Sequence, residues 1–244
     1  MIPLLENLIH RTLQGIGLDL KRYNTANDPH LRRQTILEHH AIDFALDVGA
    51  NRGQYGQRLR ENGYRRRILS LEPSSESFAE LQRIAGSSPP WDCLPLALDR
   101  RSGSGVLHLA SNSVSSSLLE MSPAMEAVPG ARYIGQESVE VQTLDQVGEA
   151  HIPRSAALLV KLDVQGSEQA VLDSGPKLLD RTRLIEIELA WSQLYVGQAK
   201  ALELLNQLSS MGFDLVSTTP NTLHPQSGEV LEYDALLARR PKGE

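Results

Sequence analysis

The sequence lacks several features that mark whole classes of protein. It has one cysteine in 244 residues, so it can form no internal disulfide, and we expect a reducing, cytoplasmic compartment. It has no surplus of positive charge, because 30 acidic residues stand against 24 basic ones. The net charge of −6 argues against nucleic acid and anionic membranes as partners. No apolar run approaches the roughly 20 residues of a membrane-spanning helix. The composition, 41% hydrophobic and 22% charged, is that of a folded globular protein.

The pattern of apolar residues divides the chain into two parts. Residues 4–20 carry leucine and isoleucine at helical spacing, which predicts a helix within an N-terminal helical extension over 1–40. From 41 to 244 strand-like runs alternate with helical segments, which predicts an α/β domain whose mostly parallel sheet has helices on both faces. The predicted strands are 43–48, 68–71, 93–98, 157–164, 184–189, 213–217 and 235–238, and the predicted helices are 53–62, 74–86, 167–174 and 198–211.

A long insertion, about 100–156, interrupts this alternation. It is rich in serine and glycine and contains two extended segments, 106–109 and 139–141. Insertions of this length in a compact domain are often lids or binding loops. The serines at 115–117 fit a ligand contact and a plain polar loop equally well.

The strongest chemical signal directly follows the first predicted strand and reads Asp47-Val48-Gly49-Ala50-Asn51-Arg52-Gly53. Gly49 permits a sharp turn that brings backbone N–H groups to a ligand, and Gly53 permits close packing at the start of a helix. The segment is not a dinucleotide fingerprint, because Asn51 and Gln54 occupy the second and third glycine positions. It also lacks the lysine of a phosphate-binding loop.

A second acid, Glu72, ends the next predicted strand. In an open α/β sheet, Asp47 and Glu72 would meet at neighbouring strand ends, where ligands bind. A carboxylate there can accept two hydrogen bonds from a ribose diol. Asp47 can pair with a cationic amino group or a sulfonium. Acid, glycine turn and second acid, in this order, predict a site for S-adenosylmethionine. A glycine turn with helix-capping acids is the alternative.

A second charged segment, Lys161-Leu162-Asp163-Val164-Gln165-Gly166-Ser167-Glu168, ends the apolar run 156–160. Strand alternation places Lys161 and Asp163 on one face, and burial requires each charge to be paired with the other, a ligand or a metal. Methyl transfer to an alcohol needs a group that orients the hydroxyl or removes its proton. Asp163 is the first candidate, and Glu168 and Glu188 are weaker ones.

The same carboxylates leave a metal site open. Asp163 and Glu188 could hold a divalent cation such as Mg²⁺, which would acidify the substrate hydroxyl. For Glu186, which shares a strand face with Glu188, structural pairing is the favoured interpretation.

Several segments together resemble the FkbM-type S-adenosylmethionine-dependent methyltransferases, over about residues 41–240. The similar segments are Asp47–Asn51 with Gly53-Gln54-Tyr55, Glu72-Pro73, Ser115-Ser116-Ser117-Leu118, Val141-Gln142-Thr143-Leu144-Asp145, Lys161–Glu168, Leu194-Tyr195-Val196-Gly197-Gln198 and Asp234-Ala235-Leu236-Leu237. One departure is Gln165, where the family often carries Glu. The departure weakens any role of this position as a metal ligand or base.

The resemblance implies a class I methyltransferase fold, Rossmann-like, with a mostly parallel seven-stranded sheet and helices on both faces. It implies S-adenosylmethionine as cofactor and O-methylation of a small-molecule hydroxyl, on a sugar, a polyketide or a glycolipid. A nitrogen or carboxylate acceptor, or a non-catalytic cofactor-binding homologue, is the alternative. A homo-oligomer is left open.

The site residues expected from these observations fall into three groups. The catalytic group is Asp163, Lys161 and Glu188. The cofactor-binding group is Asp47, Gly49, Ala50, Asn51, Gly53, Tyr55, Glu72, Pro73 and Asp99. The substrate-binding group is Ser115, Ser116, Ser117 and Tyr195.

Overall fold

The computed structural model of the protein describes residues 11–241, so most of the helix predicted over 4–20 lies outside the described residues, and 11–14 are helical. The helices that follow are α1 Pro29–His39, α2 Gln54–Glu61, α3 Ser75–Gly86, α4 Leu144–His151, α5 Glu168–Asp173, α6 Pro176–Asp180 and α7 Ala201–Ser210. The strands are β1 Phe44–Val48, β2 Arg67–Leu71, β3 Trp91–Leu94, β4 Ala97–Leu98, β5 Gly103–Ala110, β6 Tyr133–Gln142, β7 Leu158–Leu162, β8 Thr182–Ala190, β9 Phe213–Leu223 and β10 Val230–Arg239.

A seven-stranded sheet organises the domain, in the order β3-β2-β1-β7-β8-β10-β9. Strands β3, β2, β1, β7 and β8 are parallel, whereas β10 runs antiparallel to both of its neighbours. The strand order reverses between β1 and β7, which is where ligands bind in open α/β sheets. The predicted class I methyltransferase fold is confirmed.

Two apolar cores lie on opposite faces of this sheet. Phe44, Leu46 and Val48 of β1 pack with α4 to α7, whereas Ala45 packs with α1 to α3. The separation follows from the two-residue period of a strand, which sends successive side chains to opposite faces. Each helix buries an apolar stripe on the face that it covers, and helices therefore lie on both faces, as predicted.

The face covered by α1 to α3 changes from apolar to charged along each central strand. Its buried apolar positions are Ala45, Leu159 and Leu184. Two residues further along, the same face carries Asp47, Lys161 and Glu186. Charges therefore collect at the carboxyl ends of the strands, on one face.

The strand predicted over 93–98 is wrong as a single element. Residues 91–94 form β3 of the large sheet, and 97–98 form β4 of a separate sheet in the order β4-β6-β5. Pro95 stands between them and has no N–H to donate to a strand ladder, so the chain leaves one sheet there and enters the other.

The insertion is more regular than its serine content indicates. It forms the antiparallel pair β5 and β6, of which the segments 106–109 and 139–141 are parts, and ends in helix α4. The sequence reading missed α4, although its start is signalled by a capping box. The Thr143 hydroxyl accepts from the N–H of Gln146, and the Gln146 side chain accepts from the N–H of Thr143.

Candidate active site

A cleft of about 380 Å³ opens at the carboxyl ends of β1, β2, β7 and β8. Most of the residues expected from the sequence line it. From the catalytic group these are Lys161, Asp163 and Glu188; from the cofactor-binding group, Gly49, Ala50, Asn51, Tyr55, Glu72 and Pro73; and from the substrate-binding group, Ser115, Ser116 and Ser117. Its volume is within the range of small-molecule and cofactor sites.

The glycine turn at the end of β1 is built for close approach of the backbone. Gly49 has φ +78°, and a Cβ there would lie 1.8 Å from the carbonyl oxygen of Asp163. Any side chain at this position would therefore separate the turn from the end of β7. Asn51 also lies in the left-handed region, at φ +48°. Its N–H donates to Glu72 Oε2 at 2.7 Å, so the turn and the second acid form one unit.

Glu72 is nearly buried and lines the cleft. Its other oxygen, Oε1, accepts from the N–H of Ser74 at 2.9 Å. Burial raises the pKa of Glu72 to about 7, although these two backbone hydrogen bonds work in the opposite direction. Each carboxylate oxygen retains a second acceptor position, so Glu72 can still receive a pair of ligand hydroxyls.

A row of charges crosses the sheet beneath the cleft. Asp47, Lys161 and Glu186 are direct register partners on β1, β7 and β8. The Lys161 Nζ lies 3.5 Å from Asp47 Oδ1 and 3.0 Å from Asp163 Oδ2. Burial lowers the pKa of Lys161, but Asp163 and Asp47 raise it further, so that the ammonium keeps its charge. The pairing expected for Lys161 and Asp163 on one strand face is present.

The third member of that row, Glu186, binds two side chains from helices α1 and α2. Arg33 of α1 donates to both of its oxygens, and its Nε lies 2.8 Å from Oε2. The Tyr55 hydroxyl of α2 donates to Oε2 at 2.7 Å. The Arg33 guanidinium also lies over the Tyr55 ring, 5.1 Å from its centroid. Glu186 therefore has the structural partners that the sequence reading favoured.

Gln165 joins the carboxyl groups of Asp163 and Glu188. Its Nε2 donates to Asp163 Oδ1 at 2.8 Å and to Glu188 Oε2 at 2.6 Å, and its Oε1 accepts from the Tyr195 hydroxyl at 2.7 Å. Gln165 lies in the left-handed region, at φ +53°. Its backbone carbonyl accepts from Ser117 Oγ at 2.6 Å, which ties the serine loop to the end of β7.

The pKa values of Asp163 and Glu188 are shifted in opposite directions from that of an ordinary carboxyl group. Burial raises the pKa of Asp163, but the charge of Lys161 and the hydrogen bond from Gln165 outweigh it and hold that pKa below its usual value. Burial and the nearby charge of Asp163 raise the pKa of Glu188 well above its usual value. Displaced pKa values in neighbouring carboxyl groups are typical of an acid–base site.

Four of the expected site residues do not line the cleft. Asp47 is fully buried beneath it, where its Oδ2 accepts from Ser70 Oγ at 3.0 Å. Gly53 caps α2, Asp99 follows the small strand β4, and Tyr195 is buried behind Gln165. Asp47 and Tyr195 therefore do not line the cleft but contact two residues that do, Lys161 and Gln165.

The structure adds lining residues that the sequence did not single out. Arg33 comes from the helix before the domain, Asn221 and Thr222 from β9, and Glu232 and Asp234 from β10. Asp234 opens the last family-like segment, which was the one signal available. The residues of β9 and β10 could be placed only from the sheet topology, because β10 runs antiparallel to both β8 and β9 and so brings its start and the end of β9 to the same edge.

Within 11–241, no three His, Cys, Asp or Glu side chains are arranged to hold a metal ion. The amide nitrogen of Gln165 stands between Asp163 and Glu188, and an amide N–H cannot be a ligand.

The chain is similar in sequence to known methyltransferases. Residues 47–215 match the family described as the methyltransferase FkbM domain. The chain is 27% identical over 194 residues to the 2-O-methyltransferase NoeI of Sinorhizobium fredii (strain NBRC 101917 / NGR234), covering 76% of this chain and 77% of that protein. None of the helices within 11–241 has both the length and the apolar character needed to cross a membrane.

The fold is also similar to solved structures. A Clostridium thermocellum protein, provisionally described as an rRNA methylase, aligns with a TM-score of 0.50 and 9% identity over 92% of this chain and 100% of that one. At this identity the likeness is one of fold alone.

Proposed function

Because the chain belongs to the FkbM family of S-adenosylmethionine-dependent methyltransferases, we propose that it methylates a hydroxyl oxygen of a small-molecule acceptor, a sugar of a glycosylated natural product or a glycolipid. The observation that carries this proposal is the pair Asp163 and Glu188, whose carboxyl groups both accept a hydrogen bond from one amide nitrogen, that of Gln165. The pKa of Asp163 is lowered from its usual value, and the pKa of Glu188 is raised. A hydroxyl acceptor needs such a pair, because it must be oriented and must lose its proton.

The residues of the cleft fit the cofactor. Glu72 has free acceptor positions for the ribose hydroxyls, and the loop from Gly49 to Asn51 brings backbone close to the ligand. Apolar Leu96 and Leu98 line the same end and suit the adenine ring. Bound S-adenosylmethionine supplies a methyl group activated on a sulfonium.

We assign separate tasks to the two carboxyl groups. Asp163, whose pKa is low, stays ionised and accepts a hydrogen bond from the acceptor hydroxyl, which orients the oxygen. Glu188, whose pKa is high, is the stronger base once ionised and takes the proton as the new oxygen–carbon bond forms and the sulfur–carbon bond breaks. Lys161 fixes Asp163 and neutralises Asp47. The rate is expected to rise with pH as Glu188 loses its own proton.

Replacing Asp163 with Asn tests this division. We expect the D163N variant to bind S-adenosylmethionine within about threefold of wild type, whereas turnover falls roughly 10²–10⁴-fold, because the amide cannot hold the hydroxyl as an ionised carboxylate does. The measurements are calorimetric titration with the cofactor and transfer of labelled methyl into acceptor pools from a cell extract.

The same labelled product distinguishes the acceptor classes. A methyl ether resists alkaline hydrolysis, whereas a methyl ester is cleaved, and fragmentation by mass spectrometry identifies an N-methyl group. Normal turnover in D163N together with label on nitrogen or carboxylate would contradict the proposal. Tight cofactor binding without transfer into any pool would point instead to a non-catalytic homologue.

A further inference from the structure

A group of carboxyl side chains lies at the end of the cleft formed by β8 and β10. Glu188 of β8 is the direct register partner of Asp234 on β10, and Glu232 pairs in register with Ala190. Since alternate residues of a strand share a face, Glu188, Asp234 and Glu232 point to one side of the sheet, and all three line the cleft. Glu188 is the base of the proposed function, and we call the other two residues, Asp234 and Glu232, the acidic subsite.

The acidic subsite has no cationic partner within the part of the chain that the structure describes. No lysine, arginine or histidine nitrogen of residues 11–241 lies within 4.0 Å of its oxygens, as the ion pairs show. The nearest cations are already used, since Lys161 pairs with Asp47 and Asp163, and Arg33 pairs with Glu186. Unpaired carboxylates in such a setting are costly unless a ligand compensates them.

Glu232 is the residue of the acidic subsite that has a buried acceptor atom without a partner. It is only 5% exposed, and its Oε1 has no hydrogen-bond partner among the described residues. Its register partner on β9 is Thr222, a neutral residue. Burial and neighbouring acids raise the pKa of both Glu232 and Asp234 to about 7. An oriented, buried acceptor atom on a cleft wall is therefore available to a donor from a ligand.

We propose that the acidic subsite binds a protonated amino group of the acceptor, so that the molecule methylated on a hydroxyl is an amino sugar or a related amino alcohol. The inference rests on the proposed hydroxyl methylation. An ammonium group has three donors and one positive charge, which suits a set of acceptors without a cation. A neutral hydroxyl would leave the charge of the subsite uncompensated.

The position of the subsite limits where the amino group lies in the acceptor. Neighbouring strands are about 4.8 Å apart, and Glu188 on β8 lies between the end of β7, which carries Asp163, and β10. The amino group is therefore separated from the methylated hydroxyl by roughly one to two strand spacings. Such a separation places both groups on one sugar ring or on two adjacent rings.

The test compares amino sugars with their neutral counterparts. The probes are glucosamine, galactosamine, mannosamine and 3-, 4- and 6-amino-deoxyglucose, each set against the parent hexose and the N-acetylated form. Binding to the protein saturated with S-adenosylhomocysteine is measured by saturation-transfer NMR and competition. We expect at least one amino sugar to bind about tenfold more tightly than its two neutral counterparts.

The E232Q variant shows whether the preference belongs to this subsite. Glutamine keeps the size of the side chain but removes its charge and replaces one acceptor oxygen with an N–H donor, so the preference should fall to less than about threefold. Undiminished binding of S-adenosylmethionine reports that the variant is folded. E61Q, which makes the same change on the exposed end of α2, should leave the preference intact.

Each other result overturns the inference. Equal binding of amino and neutral sugars, binding of no probe at all, or a preference that survives in E232Q would each exclude an ammonium at the acidic subsite. The location of labelled methyl in the preferred probe separates the two levels of the argument. Label on oxygen of a neutral sugar contradicts only the amino-group inference, whereas label on nitrogen contradicts the proposed hydroxyl methylation.

Discussion

Among single residues, Gly49 and Glu72 determine the shape of the first loop of the cleft. The absence of a Cβ at Gly49 lets the turn lie against the backbone of Asp163, and the turn in turn offers the N–H of Asn51 to Glu72. The loop thus depends on two different features, space for the backbone at Gly49 and a carboxylate acceptor at Glu72. Neither residue would create the site alone.

Replacing Glu72 with Ala should abolish cofactor binding. The variant loses both acceptor positions offered to the ribose and leaves the N–H groups of Asn51 and Ser74 without a partner. We expect the affinity for S-adenosylmethionine, measured by calorimetry, to fall roughly 100-fold or more. The matched control is Glu76→Ala, an exposed acid in the first turn of α3, which should leave the affinity unchanged.

The pH dependence of this affinity follows from the same residue. In the free protein the pKa of Glu72 is about 7, and donation from the ribose hydroxyls favours the ionised form. Binding then releases a proton near neutral pH, and the affinity should rise as pH increases from 6 to about 7.5. An affinity that falls over this interval would show that Glu72 does not meet the diol.

At the scale of elements, α1 belongs to the wall of the cleft although it precedes the domain in sequence. Arg33 of α1 and Tyr55 of α2 both bind Glu186 of β8, so one buried carboxylate joins two helices to the sheet. The network also fixes Tyr55, whose ring lies 5.3 Å from Lys161 Nζ. The N-terminal extension therefore contributes to the position of the charged row.

Removing the arginine should be strongly destabilising. Arg33→Met leaves Glu186 buried beside Tyr55 alone, and we expect the free energy of unfolding, measured in urea, to fall by about 3–5 kcal/mol. The double variant R33M/E186Q should recover part of that loss, because no unpaired charge remains. The control is Arg52→Met, which removes the exposed ion pair between Arg52 and Glu76 and should lower the free energy of unfolding by only about 0–1 kcal/mol. A loss as small as this in Arg33→Met would contradict the role of Arg33.

At the scale of the whole molecule, the buried acids determine how stability depends on pH. Glu72, Glu168, Glu232 and Asp234 each have a pKa raised to about 7, chiefly by burial. Between pH 4.5 and 7 the folded protein therefore holds protons that the unfolded chain has released. Stability falls with rising pH wherever the folded state binds more protons, so the site lowers the stability of the ligand-free protein at neutral pH.

Thermal melts should show this directly. From pH 5 to pH 7 we expect the free energy of unfolding of the ligand-free protein to fall by a few kcal/mol, and D234N should reduce the change. Burial lowers the pKa of His30 and His40, which works in the opposite direction, but both residues are partly exposed and their effect is smaller. A melting temperature that rises steadily from pH 5 to pH 7 would contradict the expectation.

The features that depend on local geometry could be predicted from the sequence. The two-residue period of the strands, the glycine turn after β1 and the charged end of β7 predicted the sheet, the cofactor loop and the place of Lys161 and Asp163. These features are local because a turn or a strand face is set by a few consecutive residues. The start of α4 was equally local, through the capping box at Thr143, and the reading overlooked it.

Only the tertiary structure decided which distant residues meet at the cleft. Arg33 reaches Glu186 across 153 positions. Glu232 and Asp234 lie at the cleft because β10 runs antiparallel to β8, which brings its first residues to the carboxyl ends of the parallel strands, and Asn221 lies near the end of β9 at the same edge. Tertiary structure also placed Asp47 beneath the cleft rather than on its surface. Local residue patterns do not encode such proximity, because it depends on the order and direction of strands that are far apart in the sequence.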